Sequence, residues 1–97
     1  MMVLVSYDVS TVNNAGKRRL RRVAKQCKNF GVRVQNSVFE CDIDPTLWAD
    51  LKQRLLDIVD EEQDSLRFYF LGSKWRSKVE HHGAKAAIDI FDDTLLI

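Results

Sequence analysis

Met1-Met2-Val3-Leu4-Val5-Ser6-Tyr7-Asp8-Val9 is the stretch on which the fold turns. Alternation puts Val3, Val5, Tyr7 and Val9 on one face and Met2, Leu4, Ser6 and Asp8 on the other. Both faces are largely apolar, which predicts a central strand ending on one carboxylate. An ionised acid in such a place costs free energy unless it is solvated, paired or bound to a cation. Asp8 is therefore a candidate functional acid. The alternative is a turn or capping role, because Asp8-Val9-Ser10-Thr11 is good turn chemistry.

Downstream, Asn13, Asn14 and Gly16 precede the run Lys17 to Phe30, which Gly31 closes, and these are start and stop signals for a helix. Leu20, Val23, Ala24 and Cys27 recur at helical spacing as one narrow apolar stripe. The rest of the helix is basic: Arg18, Arg19, Arg21, Arg22, Lys25 and Lys28, with no acid between residues 17 and 30. Like charges at this spacing repel, and a merely solvated face usually mixes signs. A phosphate-binding face explains the pattern better. The helix N-terminus, which attracts anions, is expected near Asp8.

The β-branched run from Val32 to Ile43 falters at Gln35-Asn36-Ser37, which predicts two short strands joined by a tight turn, or one bent strand. Asp44-Pro45 opens a second helix as N-cap and first residue. Its buried face is read as Leu47, Trp48, Leu51, Leu55, Ile58 and Val59. The acidic group Asp60, Glu61, Glu62 and Asp64 suits the helix dipole poorly and is assigned only to solubility. Ser65 to Leu71 reads as a fourth strand stopped by Gly72. The order β-α-β-β-α-β is the ferredoxin-like arrangement of an α+β sandwich, with both helices on one side of an antiparallel sheet. The other side then needs a cover, and a second copy of the chain is expected to supply it, making a homodimer.

In Ser73 to Lys78, Trp75 sits between basic residues, a pattern that can stack a base or plug a subunit interface. Val79-Glu80-His81 and residues 87–91 are spare strand candidates suited to pairing with a partner. His81 and His82 would face oppositely on a strand, so they are read as solvent or interface residues rather than metal ligands. The apolar end Leu95-Leu96-Ile97 is expected to dock on another protein.

Ninety-seven residues make one domain, here residues 1–97 with 79–97 as a C-terminal strand and tail that pairs with the partner. A chain this small buries only about two-thirds of its unfolded surface, so a partner's help is welcome. The net charge of +1 conceals a basic first part and an acidic second part. Residues 1–41 hold eight basic and two acidic side chains, against seven and twelve in residues 42–97. That polarity points to a polyanionic partner on one side only. Apolar stretches are strand-sized and no basic leader precedes them, so a cytoplasmic protein without a membrane span is expected. Cys27 and Cys41 lie apart and read as core residues.

Three elements together, V-S-Y-D-V at the end of the first strand, K-R-R-L-R-R-V-A-K in the helix and R-V-Q-N-S-V-F-E from Arg33, are specific enough to compare. The chain resembles the family of CRISPR-associated protein two, a small ferredoxin-like nuclease acting with the integrase subunit in spacer acquisition. V-E-H-H-G-A-K near the C-terminus is similar to the type I subtype C branch. The resemblance implies a homodimer in which each C-terminal strand completes the neighbouring sheet. It also implies that Asp8 of both chains holds one divalent ion, Mg²⁺ or Mn²⁺, and that Tyr7, Arg19, Arg22, Arg33, Ser37 and Phe39 lie around it.

The chemistry that follows is metal-dependent phosphodiester hydrolysis of double-stranded DNA or single-stranded RNA. Asp8 is the metal ligand, with Tyr7 and Ser37 as further catalytic candidates. Arg18, Arg19, Arg22, Lys25, Arg33, Phe39 and Trp75 are the nucleic-acid contacts. The alternative is a non-catalytic DNA-binding scaffold that bridges integrase dimers. A toxin-like ribonuclease is a third reading.

Overall fold

The computed structural model describes residues 1–83. Its elements are β1 (Met2–Asp8), α1 (Asn14–Phe30), β2 (Val32–Gln35), β3 (Val38–Asp42), α2 (Pro45–Ile58) and β4 (Ser65–Phe70), followed by a 3-10 turn, Trp75–Lys78. The sheet is antiparallel in the order β2-β3-β1-β4. This is the ferredoxin-like arrangement, and β1 is central as its two apolar faces require.

Val3, Val5 and Tyr7 face the helices and join Phe39, Cys41, Val23, Cys27, Trp48, Leu51 and Leu55 in one core. Trp48 packs edge-on against Phe68 with ring centres 4.7 Å apart, a contact worth about 0.5–1.5 kcal/mol beyond the area it buries. Leu47, read as buried, is instead 45% exposed. It lies in the first turn of α2, where Asp44 caps its backbone N–H at 2.8 Å and holds the turn beyond the core.

Two glycines permit close approaches. A Cβ on Gly16 would stand 1.9 Å from the Ser10 carbonyl oxygen, so α1 can be pinned tightly to the end of β1. Gly16 therefore belongs to the first turn of α1 and does not precede the helix: its N–H donates to the Asn13 cap at 2.8 Å. At Gly31, a Cβ would meet Cys41 Sγ and the Glu40 carbonyl oxygen, both at 2.5 Å. Gly31 thus ends α1 in extended backbone with no room for a side chain.

The turn at Asn36-Ser37 joins β2 to β3, with a register shift between Arg33 and Gln35. Residues 79–82, where a strand pairing with a partner chain is expected at Val79-Glu80-His81, carry no regular secondary structure in the single chain, and the His82 ring contacts Glu80 there. An isolated strand has no ladder to join unless another edge is offered. The expectations for 87–91 and 95–97 lie outside the described residues.

Candidate nucleic-acid and metal site

Alternation along β1 divides the expected cluster between the two sides of the sheet. Tyr7 is 4% exposed and faces the helices. Its ring stacks with Phe39, centroids 6.3 Å apart, and the Arg33 guanidinium lies 5.1 Å from the Phe39 ring centre. Burial raises the Tyr7 hydroxyl above its ordinary pKa, and Arg33 offsets part of that rise. Tyr7, Phe39 and Arg33 thus form one stacked unit beneath α1. Phe39, expected to touch nucleic acid, has no exposed surface. Its place opposite Val5 puts it in the core, where it supports Arg33 from below.

Asp8 points the other way and is exposed. Its carboxylate makes no hydrogen bond or ion pair among the described residues, which resolves the cost of an acid at the end of a central strand by solvation. Across the sheet it stands opposite Ser65, while Ser6 stands opposite Val38 and Arg67. Arg67 therefore shares the face of Asp8, one row away, and donates to the Tyr69 hydroxyl at 3.1 Å. Strand alternation in β4 was the signal for this position.

Ser37 lies at the turn where β3 begins, and its carbonyl accepts from the Tyr7 N–H at 3.1 Å. That bond sets Ser37 across the β1–β3 ladder from the residue before Asp8. Trp75 is not brought there. β4 leaves the sheet at the end that pairs with Val3, the far end of β1 from Asp8.

The basic helix keeps most of its charge outward. Arg18, Arg21, Arg22, Lys25 and Lys28 are exposed. Arg21, Lys25, Lys28 and Arg33 line an open depression of about 370 Å³ together with Ala24 and Asn29. Four cations with no acid on that lining suit a phosphate chain.

Arg19, expected as a phosphate contact, differs from these in being engaged by an acid of the same chain. Its Nε donates to Asp64 Oδ2 at 2.8 Å and an Nη donates to Oδ1 at 3.2 Å. The Asp64 side chain is 0% exposed. Burial alone would raise its pKa, but Arg19 and the backbone N–H groups of Asp60 and Ser10 outweigh burial and hold the carboxyl below its usual range. Asp64, assigned only to solubility, is thus a structural anchor.

Mg²⁺ is a hard ion that keeps several waters and takes one or two carboxylates plus substrate phosphate. The free, exposed Asp8 oxygens fit half of such a site. No group of three or more His, Cys, Asp or Glu side chains gathers among the described residues, so the other half has to come from a second Asp8 or from substrate. No helix among the described residues is long and apolar enough to cross a membrane.

The family model described as CRISPR associated protein Cas2 matches residues 1–79. The CRISPR-associated endoribonuclease Cas2 of Nitratidesulfovibrio vulgaris is 62% identical over 89 residues, 92% of this chain and 87% of that protein. The CRISPR-associated endonuclease Cas2 of Halalkalibacterium halodurans is 55% identical over 92 residues, 95% of this chain and 96% of that protein. Among solved structures, Streptococcus pyogenes Cas2 superposes with a TM-score of 0.77 at 57% identity, covering 86% of this chain and all of that one.

Proposed function

The chain belongs to the CRISPR-associated Cas2 family, and from that premise we propose that it is a metal-dependent endonuclease of spacer acquisition. It hydrolyses phosphodiester bonds of double-stranded DNA or single-stranded RNA and acts with the integrase subunit. The observation that carries this reading is the unpaired Asp8 carboxylate at the open end of the central strand, beside the start of a basic helix.

The working unit is a homodimer. Leu4, Val32 and Val38 are half-buried and Tyr69 is 42% exposed on the sheet face away from the helices. A second sheet laid on that face would cover them and bring a second Asp8 close to the first. When bound between the two Asp8 carboxylates, Mg²⁺ or Mn²⁺ would neutralise phosphate charge and lower the pKa of a water. Arg18, Arg22 and Lys25 hold the phosphate backbone, and Arg33 binds at the depression beside them. Ser37 offers a hydroxyl to the phosphate at the β2–β3 turn. Tyr7 and Phe39 act from beneath, by holding the Arg33 guanidinium in place.

A non-catalytic scaffold that bridges integrase dimers is the second reading. It is favoured by the lack, among the described residues, of any group of three or more His, Cys, Asp or Glu side chains that could hold a metal. Cleavage of end-labelled duplex DNA and single-stranded RNA by wild type and Asp8→Ala, with Mg²⁺ or chelator and matched dimer and binding controls, separates the two. Cleavage that requires both metal and Asp8 is expected. Equal cleavage by the variant, or none by either protein with binding intact, overturns the enzyme in favour of the scaffold.

A further inference from the structure

The buried Asp64 carboxylate closes a small circuit around the candidate acid. Oδ1 accepts from the backbone N–H of Ser10, two residues beyond Asp8, at 3.0 Å. Oδ2 accepts from the Asp60 N–H at 2.9 Å, and the fork of Arg19 spans both oxygens. The next residue, Ser65, is the register partner of Asp8 in β4. One side chain therefore ties the exit of β1, the entry of β4 and the second turn of α1 to one another.

The tie also sets the rotation of the helix. Successive residues turn by about 100°, so with Arg19 drawn inward Arg18 and Arg22 fall on one flank roughly 40° apart. Both are exposed there. A bidentate carboxylate–guanidinium pair resists rotation more than a single contact would, because two parallel bonds fix the plane of the fork. Gly16 completes the lock, since any side chain there would collide with the Ser10 carbonyl.

We propose that Asp64 and Arg19 are positioning residues, which hold the loop after Asp8 and the register of the phosphate-binding flank so that acid and cations meet one phosphate. This rests on the nuclease reading above and deepens it. Arg19 then contributes without touching nucleic acid. The opposite role, Arg19 as a phosphate ligand that Asp64 merely parks, makes contrary predictions for the same variants.

The test compares wild type, Asp64→Asn and Arg19→Lys for kcat, KM, thermal midpoint, and Mn²⁺ affinity read from paramagnetic broadening of the amide signals at residues 7–10. Asp64→Asn keeps the size and one acceptor, and Arg19→Lys keeps the charge but loses the fork. Both are expected to lower kcat by about 10- to 100-fold with KM little changed, because a misplacement on the order of 1 Å costs that much. Mn²⁺ affinity is expected to fall about 10-fold, as for lost outer-shell support. If Asp64→Asn does not fold, Arg19→Lys carries the same comparison.

Wild-type kcat in Asp64→Asn overturns the positioning role. So does tighter substrate binding in Asp64→Asn with a raised KM in Arg19→Lys, which would make Arg19 a phosphate ligand. A wild-type protein that neither cleaves nor binds Mn²⁺ at Asp8 overturns the nuclease reading, and the positioning role falls with it.

Discussion

Tyr7 and Asp8 share a peptide bond and face opposite sides of the sheet, Tyr7 4% exposed among the core residues and Asp8 open to solvent. Of the two, Asp8 is the one open to a bound substrate. Asp8→Asn is expected to lower cleavage by on the order of a hundredfold or more, since loss of several kcal/mol of charge stabilisation costs tenfold per 1.36 kcal/mol. Tyr7→Phe keeps the ring on Phe39, through which Arg33 is supported, and removes a hydroxyl that faces Arg33 and makes a long contact, 3.5 Å, with the Asn36 carbonyl. Its kcat should stay near wild type. Parallel kinetics on the two variants check this, and a large loss in Tyr7→Phe would give the hydroxyl a direct part in the chemistry.

Phe39 separates a core role from a contact role. Phe39→Ala opens a cavity beneath Arg33 and is expected to cost about 3–5 kcal/mol, a large part of the stability of a small domain. Phe39→Leu refills much of the space and should fold. With Phe39 enclosed, the salt dependence of nucleic-acid binding in Phe39→Leu should match wild type. Urea unfolding and binding titrations at several salt concentrations read both quantities.

The exposed side of α1 should account for a countable share of the salt dependence. Replacing Arg18, Arg22 and Lys25 by Gln removes three cations. The slope of log affinity against log salt should lessen by about 2.7 on duplex DNA or about 2.1 on a single strand, from roughly 0.9 or 0.7 per phosphate contact. Far-ultraviolet circular dichroism confirms the helix, and an unchanged slope would move the nucleic-acid face elsewhere.

Most of the fold was legible because it rests on short-range patterns. β1, the Asn13 and Asp44 caps and the pause at Asn36-Ser37 each announce themselves within a few residues. The site was less legible because it depends on partners far apart in sequence. That Arg19 is spent on Asp64, forty-five positions away, cannot be read from a helix in which every cation looks alike. Likewise Phe39 stands between Val38 and Glu40 in a stretch whose faces are not marked by the sequence, and its place opposite Val5 in the register shows it to be core. The acidic group after α2 misled for the same reason: three of its members are exposed or half-exposed, and one is wholly enclosed.

Cys27 and Cys41 give the fold an alkaline limit. Both are fully buried, and burial pushes each thiol up to about 12, with the neighbouring Cys41 adding to the effect at Cys27 and Glu40 at Cys41. The unfolded thiols ionise near their ordinary value of 9.0, whereas the folded ones stay protonated to about 12. Above 9 the unfolded chain therefore binds fewer protons than the folded one, and stability falls as pH rises. The expected slope is about 1.4 kcal/mol per pH unit for each thiol through that window. Well below it the contribution is constant, so unfolding at pH 7 and lower should show almost no thiol-linked slope. Cys27→Ala/Cys41→Ala, weakened overall by lost packing, should lose that alkaline slope while keeping the rest of the profile. Urea midpoints from pH 7 to 11 on both proteins make the comparison, and an identical alkaline slope in the double variant would assign the limit to other groups. Aromatic disulfide reagents added to the native protein at pH 8 should react only at the rate of opening, because neither thiol is exposed.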